Sequence, residues 1–125
     1  MDHSHDFREE LRGPTLDLRE LIPEVYRGYA QLSRAAMADG ALSEATKELL
    51  ALIVGVTREC DGCIVSHARA ARRVGVTRQE LAEAMGVAIM MNGGPGTVWG
   101  ARALRAYDEA VAERAGAQTS GDTAN

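Results

Sequence analysis

The sequence predicts an all-α protein, a bundle of five to six helices, and three observations lead there. Apolar residues make up 46% of the 125 positions but aromatic residues only 4%. Ala, Leu, Val, Met and Gly dominate, and such side chains suit closely packed helices better than a sheet, which draws on Val, Ile, Tyr and Phe. Helix start and stop signals follow one another along the chain, whereas no stretch alternates apolar and polar residues over the length of a strand and no internal repeat is present.

The elements follow in order. Residues 1–14 are polar and hold His3 and His5 in an "HSH"; they read as a flexible tail, in which two histidines alone would bind metal only adventitiously. A short turn of helix is expected around "LDLREL". Pro23 suits the first turn of a helix on which Val25, Tyr29, Leu32, Ala36 and Met37 recur at helical spacing, ended by "ADG" at Gly40. Ser43 is a fitting N-cap for "LSEATKELLALIVGVT", with Glu44 beside the positive end of the dipole. That segment is apolar nearly all round, which predicts a central, buried helix. A helix from about Asp61 to Val74 is stopped by Gly75, and Thr77 with Glu80 forms a capping box before Leu81, Ala84, Met85, Ala88 and Ile89. "NGGPG" is a helix-to-helix turn, with anion binding at the following helix start as its functional alternative. A last amphipathic helix carries Val98, Ala101, Leu104 and Val111, and Gly116 opens a turn-rich C-terminal tail, 116–125. Residues 15–115 thus form one domain, of a size that buries roughly two thirds of its unfolded surface.

Charge narrows the function. Eighteen acidic against 14 basic side chains leave a formal −4, with Lys47 the only lysine, so no nucleic-acid footprint is present. No segment reaches the ~18 apolar residues of a membrane span, and "MDHSHDFREE" is too polar for a secretory signal, so the expected location is the cytoplasm. In that compartment a cysteine pair serves catalysis, redox sensing or metal binding more often than as a permanent staple.

The two cysteines stand in "ECDGCIVSH". A C-x-x-C at a helix start brings its sulfurs within bonding distance and sets the thiols beside unpaired N–H groups that favour the thiolate. His67, four residues after Cys63, lies one turn further on the same face, where an imidazole can exchange the thiol proton. Zinc would need ligands that no second C-x-x-C or C-x-x-H supplies; two inert buried cysteines are the remaining alternative. Glu48, twelve residues before Cys60 and flanked by Leu49, Leu50 and Leu52, is a candidate to orient His67, against the bland reading of a solvated helix carboxylate. Tyr26, Tyr29 and Trp99 read as core or interface rather than pocket.

Glu48, Cys60, Cys63 and His67, followed by "GVTRQELAEAM", resemble the alkylhydroperoxidase AhpD-like branch of the carboxymuconolactone decarboxylase superfamily over roughly residues 20–112. The resemblance implies an all-α subunit assembled into homo-oligomers, trimers or hexamers, with no metal or organic cofactor. It further implies a peroxidase that reduces organic hydroperoxides and is itself reduced by a dithiol partner, thioredoxin-like or lipoyl. Carried over, Cys63 would be the attacking thiolate, Cys60 the resolving thiol, and Glu48 with His67 the proton relay. Helix-dipole reasoning alone would instead favour Cys60, although Asp61 beside it opposes a thiolate there. Gly62 stands where some relatives carry a second histidine, which implies a simpler relay, and the chain is shorter than two-repeat members. Two other functions share the fold: a lactone decarboxylase, which does not need the cysteine pair, and a non-enzymatic redox sensor.

Overall fold

A computed structural model describes residues 3–122, which form six α-helices and, among the described residues, no strand. They are α1 (His3–Leu21), α2 (Pro23–Met37), α3 (Glu44–Thr57), α4 (Asp61–Arg73), α5 (Arg78–Asn92) and α6 (Gly94–Asp122). Two compact units divide the chain, Met1–Glu44 and Ala45–Asn125.

In the first unit α1 and α2 pack against each other, and the Arg19 guanidinium lies 5.4 Å from the centre of the Tyr26 ring. The stretches expected as tails are helical over their described residues. The helix predicted only around "LDLREL" begins at His3 and takes in Pro14, and α6 runs through Gly116 to Asp122. Residues 1–2 and 123–125, and the side chains of His3 and His5, lie outside the described residues. Polar stretches without an apolar stripe read as loops, yet helical hydrogen bonding needs no such stripe. Pro23 opens α2 as expected, but none of the residues of α2 is buried: Val25, Tyr29 and Leu32 are 63%, 67% and 65% exposed. The loop after α2 is tied down where Asp39 Oδ1 accepts the Glu44 N–H at 2.7 Å.

The second unit holds the core. Leu52 and Val56 of α3, Ile64, Ala68 and Ala71 of α4, Leu81, Met85 and Ala88 of α5, and Ala103, Ala106 and Tyr107 of α6 form one buried cluster. The helix against which both α4 and α5 pack most is α6, so the expectation of a central α3 is corrected. Only Glu48, Leu52, Gly55 and Val56 of α3 are buried, while Leu50 and Val54 face outward. A helix that is apolar all round has several sides able to be buried, and here one of them is.

Local sequence explains the joints. Two helix ends close as Schellman motifs, in which paired reverse hydrogen bonds satisfy the last carbonyls. After α4, Val76 N–H reaches Ala71 O and Gly75 N–H reaches Arg72 O, with Gly75 at φ 88°. After α3, Cys60 N–H reaches Gly55 O and Glu59 N–H reaches Val56 O, but the left-handed position is held by Glu59 at φ 52°. The Thr77–Glu80 capping box is present, and Tyr107 Oη donates to Val76 O at 2.7 Å, pinning α6 to the α4–α5 turn. Arg78 grips Asp108 through two parallel hydrogen bonds, at 2.9 and 3.0 Å, and the pairing raises its already high pKa. At "NGGPG" the chain turns from α5 into α6, and Gly96 lies so close to α5 that a Cβ would stand 2.9 Å from Ile89 Cα and 3.1 Å from Ala88 O.

Two outcomes are expected. Gly96→Ala presses on backbone that cannot swing aside and should lower stability by about 1–3 kcal/mol in chemical denaturation. The Glu80 carboxyl is held below its ordinary range, chiefly by the Thr77 backbone N–H. A depressed folded-state pKa stabilises above the unfolded value and loses that contribution as pH falls through the folded one. Acid titration of stability should therefore fall less steeply below the ordinary carboxylate range in Glu80→Gln than in the parent, and parallel curves would refute the assignment.

Candidate active site

The site is built where α3 gives way to α4. The turn closed by Glu59 delivers Cys60 to the N-cap of α4, where its Sγ accepts the Cys63 N–H at 3.2 Å. Cys60 and Cys63 are joined as a disulfide with Cα atoms 5.3 Å apart. Both are half-buried. Gly55 makes room for them: a Cβ there would stand 3.2 Å from Cys63 Cβ, so α3 can approach the start of α4 closely only because that position lacks a side chain.

Glu48 and His67 meet. Glu48, 5% exposed, is the buried charged residue of the core side of α3, and its Oε2 lies 2.8 Å from His67 Nδ1 on α4. With the carboxylate ionised, Nδ1–H donates to it, which leaves the lone pair of a neutral ring on Nε2. The His67 side chain is 31% exposed, so the imidazole spans from a buried carboxylate towards solvent. His67 stands one turn beyond Cys63 on α4. The four candidate residues are thus brought together in two contacts, one between the cysteines and one between the carboxylate and the imidazole.

One residue here, Arg102, left no mark in the sequence reading. Arg102 of α6 reaches Asp61, the residue next to Cys60, with Nη1 to Oδ1 at 3.3 Å, and its guanidinium lies 4.4 Å from the centre of the Trp99 ring. The expected opposition of Asp61 to negative charge on Cys60 is therefore offset by a cation. Trp99 is half-buried and packs against the core, while Tyr26 is half-buried and Tyr29 exposed. Gly55 did carry a signal, a lone glycine inside an apolar helical run; Arg102 is 41 residues from Asp61 and had none. No cluster of three or more metal-ligating side chains occurs among the described residues, and no helix among them is long and apolar enough to cross a membrane.

An all-α subunit with a cysteine pair capping one helix and a buried carboxylate–imidazole contact behind it defines a class of helical thiol-site proteins. The sequence pattern of the carboxymuconolactone decarboxylase family matches residues 23–106, and the chain belongs to that family. Its fold is similar to the crystal structure of an apo carboxymuconolactone decarboxylase family protein from Legionella pneumophila, with a TM-score of 0.82 and 36% identity over 87% of this chain and 97% of that one. It is also similar to an uncharacterised protein of Cupriavidus necator, 34% identical over 75% of this chain and 96% of the relative. A further relative, uncharacterised protein 4 of the cox locus in Paracoccus denitrificans, is 38% identical over 65% of this chain and 73% of its own length.

Because Glu48 is buried against His67, the pair should show strong coupling. His67→Leu strands a buried carboxylate and is expected to cost about 1–3 kcal/mol, whereas Glu48→Leu with His67→Leu should recover most of that loss. A double-mutant cycle by urea denaturation checks it, and additive losses would refute the contact.

Proposed function

We propose that the protein is a thiol-dependent peroxidase that reduces organic hydroperoxides through Cys60 and Cys63. The observation that supports this most is the Glu48–His67 contact on the helix that carries the cysteine pair. A carboxylate that fixes the imidazole tautomer leaves Nε2 as the proton acceptor for a thiol, the same orienter, base and nucleophile logic found in unrelated enzymes.

From the dithiol state, Nε2 takes the proton of Cys63. The thiolate attacks the terminal oxygen of the hydroperoxide; the S–O bond forms as the O–O bond breaks. The alkoxide leaves with the relay's proton as an alcohol, and Cys63 becomes a sulfenic acid. Cys60 then attacks the Cys63 sulfur, the S–S bond forms, and the sulfenic oxygen departs with two protons as water. A dithiol reductant of thioredoxin-like or lipoyl type restores the pair: one thiolate attacks Cys63 Sγ, Cys60 leaves as thiolate, and the reductant's second thiol closes its own disulfide. The Cys63 N–H directed at Cys60 Sγ suits this leaving step, since it stabilises negative charge on that sulfur. In this reading the two cysteines hold charge at different steps, Cys63 in attack and Cys60 on leaving.

The same reading makes the working form a homo-oligomer, a trimer or hexamer. It is supported by apolar side chains left uncovered on each unit, Val25, Tyr29 and Leu32 on α2, and Met90 and Met91 on α5 at 72% and 74% exposure.

With cumene hydroperoxide and excess dithiol, the parent should turn over continuously. Cys63→Ser should be inactive and Glu48→Gln should slow turnover by about 10²-fold, whereas Cys60→Ser, reduced and then freed of dithiol, should consume one equivalent and leave a dimedone-reactive sulfenic acid. Equal consumption by parent and both cysteine variants would overturn the proposal. So would turnover of a carboxymuconolactone that is indifferent to thiol alkylation, which would support the lyase instead.

A further inference from the structure

At the opposite end of α4 from the cysteines, Arg69, Arg72 and Arg73 join Arg114 of α6 in lining one cleft of about 310 Å³, with Ala110 and Glu113 completing its wall. Arg72 and Arg114 also line an adjoining hollow with Val111 and Ala115. Arg69 is paired with Glu113. Arg72, Arg73 and Arg114 have no acidic partner among the described residues, so a surplus of positive charge gathers here in a chain whose formal charge is −4.

Helix electrostatics account for part of this. Arg72 and Arg73 occupy the last turn of α4, where cations suit the negative end of the dipole. They do not account for Arg114, which comes from another helix. Four guanidinium groups converging on one cleft with a single carboxylate leave an excess of positive charge that an anion would offset. Alanine at 110 leaves the gap open.

We propose that this cleft binds a small polyanion, held between Arg72 and Arg114 with the Arg69–Glu113 pair as a fixed wall. Guanidinium forks match phosphoryl and carboxylate oxygens equally in geometry, so the ligand class is set by charge and size: at least two such groups on a compact molecule. The volume lies at the small end of ligand sites. Being at the far end of a 13-residue helix from Cys60, the cleft is separate from the thiol chemistry and does not depend on it.

Calorimetric titration at constant, physiological ionic strength tests this with pyrophosphate and citrate as separate probes against the parent, Arg72→Gln/Arg114→Gln and Arg114→Gln alone. One-site saturable binding of at least one probe is expected, weakened about tenfold or more in the double variant, with a ligand-dependent rise in Tm only in the parent. Tighter pyrophosphate assigns phosphoryl groups, and tighter citrate assigns carboxylates. The single variant sits at an exposed position, and its weakening supports the site even where the double variant folds poorly. Equal affinities in parent and variants would overturn the proposal, as would stabilisation that follows ionic strength alone. A changed oligomeric state with unchanged anion affinity would overturn it too, assigning the cluster to contacts between copies.

Discussion

The second unit is organised around one obligation: a carboxylate on the buried side of α3 must have a partner. Glu48 shares its stripe of the helix with Leu52, Gly55 and Val56, all buried, so its side chain is carried into the core with them. An unpaired carboxylate there would cost about 1–3 kcal/mol, and His67 Nδ1 on α4 is what meets it. That contact constrains where α4 can lie against α3. The missing Cβ of Gly55 permits the approach, and the Schellman turn sets how far the chain travels between the helices. A structural demand on α3 therefore holds an imidazole against a carboxylate on the helix that the two cysteines begin.

The turn itself carries strain in a telling place. The left-handed position of a Schellman motif is normally glycine because a side chain there costs roughly 1 kcal/mol. Gly75 fills it after α4, but Glu59 fills it after α3, immediately before Cys60. The hydrogen bonds from Cys60 N–H to Gly55 O and from Ile64 N–H to Cys60 O hold this residue's backbone from both sides. The sulfur at the N-cap is thus fixed by backbone bonding rather than by packing of its own small side chain.

Legibility in the sequence follows the range of the forces involved. The start of α5 and the end of α4 were readable because a capping box and a glycine stop act within a few residues. The C-x-x-C at a helix start and the i, i+4 histidine were readable for the same reason. Glu48 was half-readable: its spacing to Leu52, Gly55 and Val56 is that of a single stripe, but in a helix apolar on every side no stripe is singled out from sequence. The role of α6 as the helix that α4 and α5 share was hidden behind the more apolar α3, since composition reports what could be buried and topology decides what is. The ends of α1 and α6 lie in stretches read as tails from their polar or turn-rich composition, which does not by itself exclude a helix. Arg102 belongs to the site only through tertiary approach, which leaves no local trace.

Charge along α4 shows how one helix accommodates different demands at its two ends. Near the N-terminus, Asp61 is favourable to the dipole but unfavourable to negative charge on the adjacent Cys60 sulfur. Arg102, stacked on Trp99, resolves the conflict: it keeps the carboxylate where the helix wants it and cancels much of its effect on the sulfur. The aromatic face matters here because a guanidinium resting on it gives up less than one ordered by a carboxylate alone. Near the C-terminus, Arg72 and Arg73 satisfy the dipole and Arg69 is neutralised by Glu113, yet Arg114 adds to the cluster from α6 rather than balancing it. Compensation at one end and accumulation at the other, on a helix of 13 residues, cannot both follow from dipole stabilisation. Under the proposed thiol chemistry the first lets a sulfur bear charge, and the second is the charge on which the proposed anion site rests.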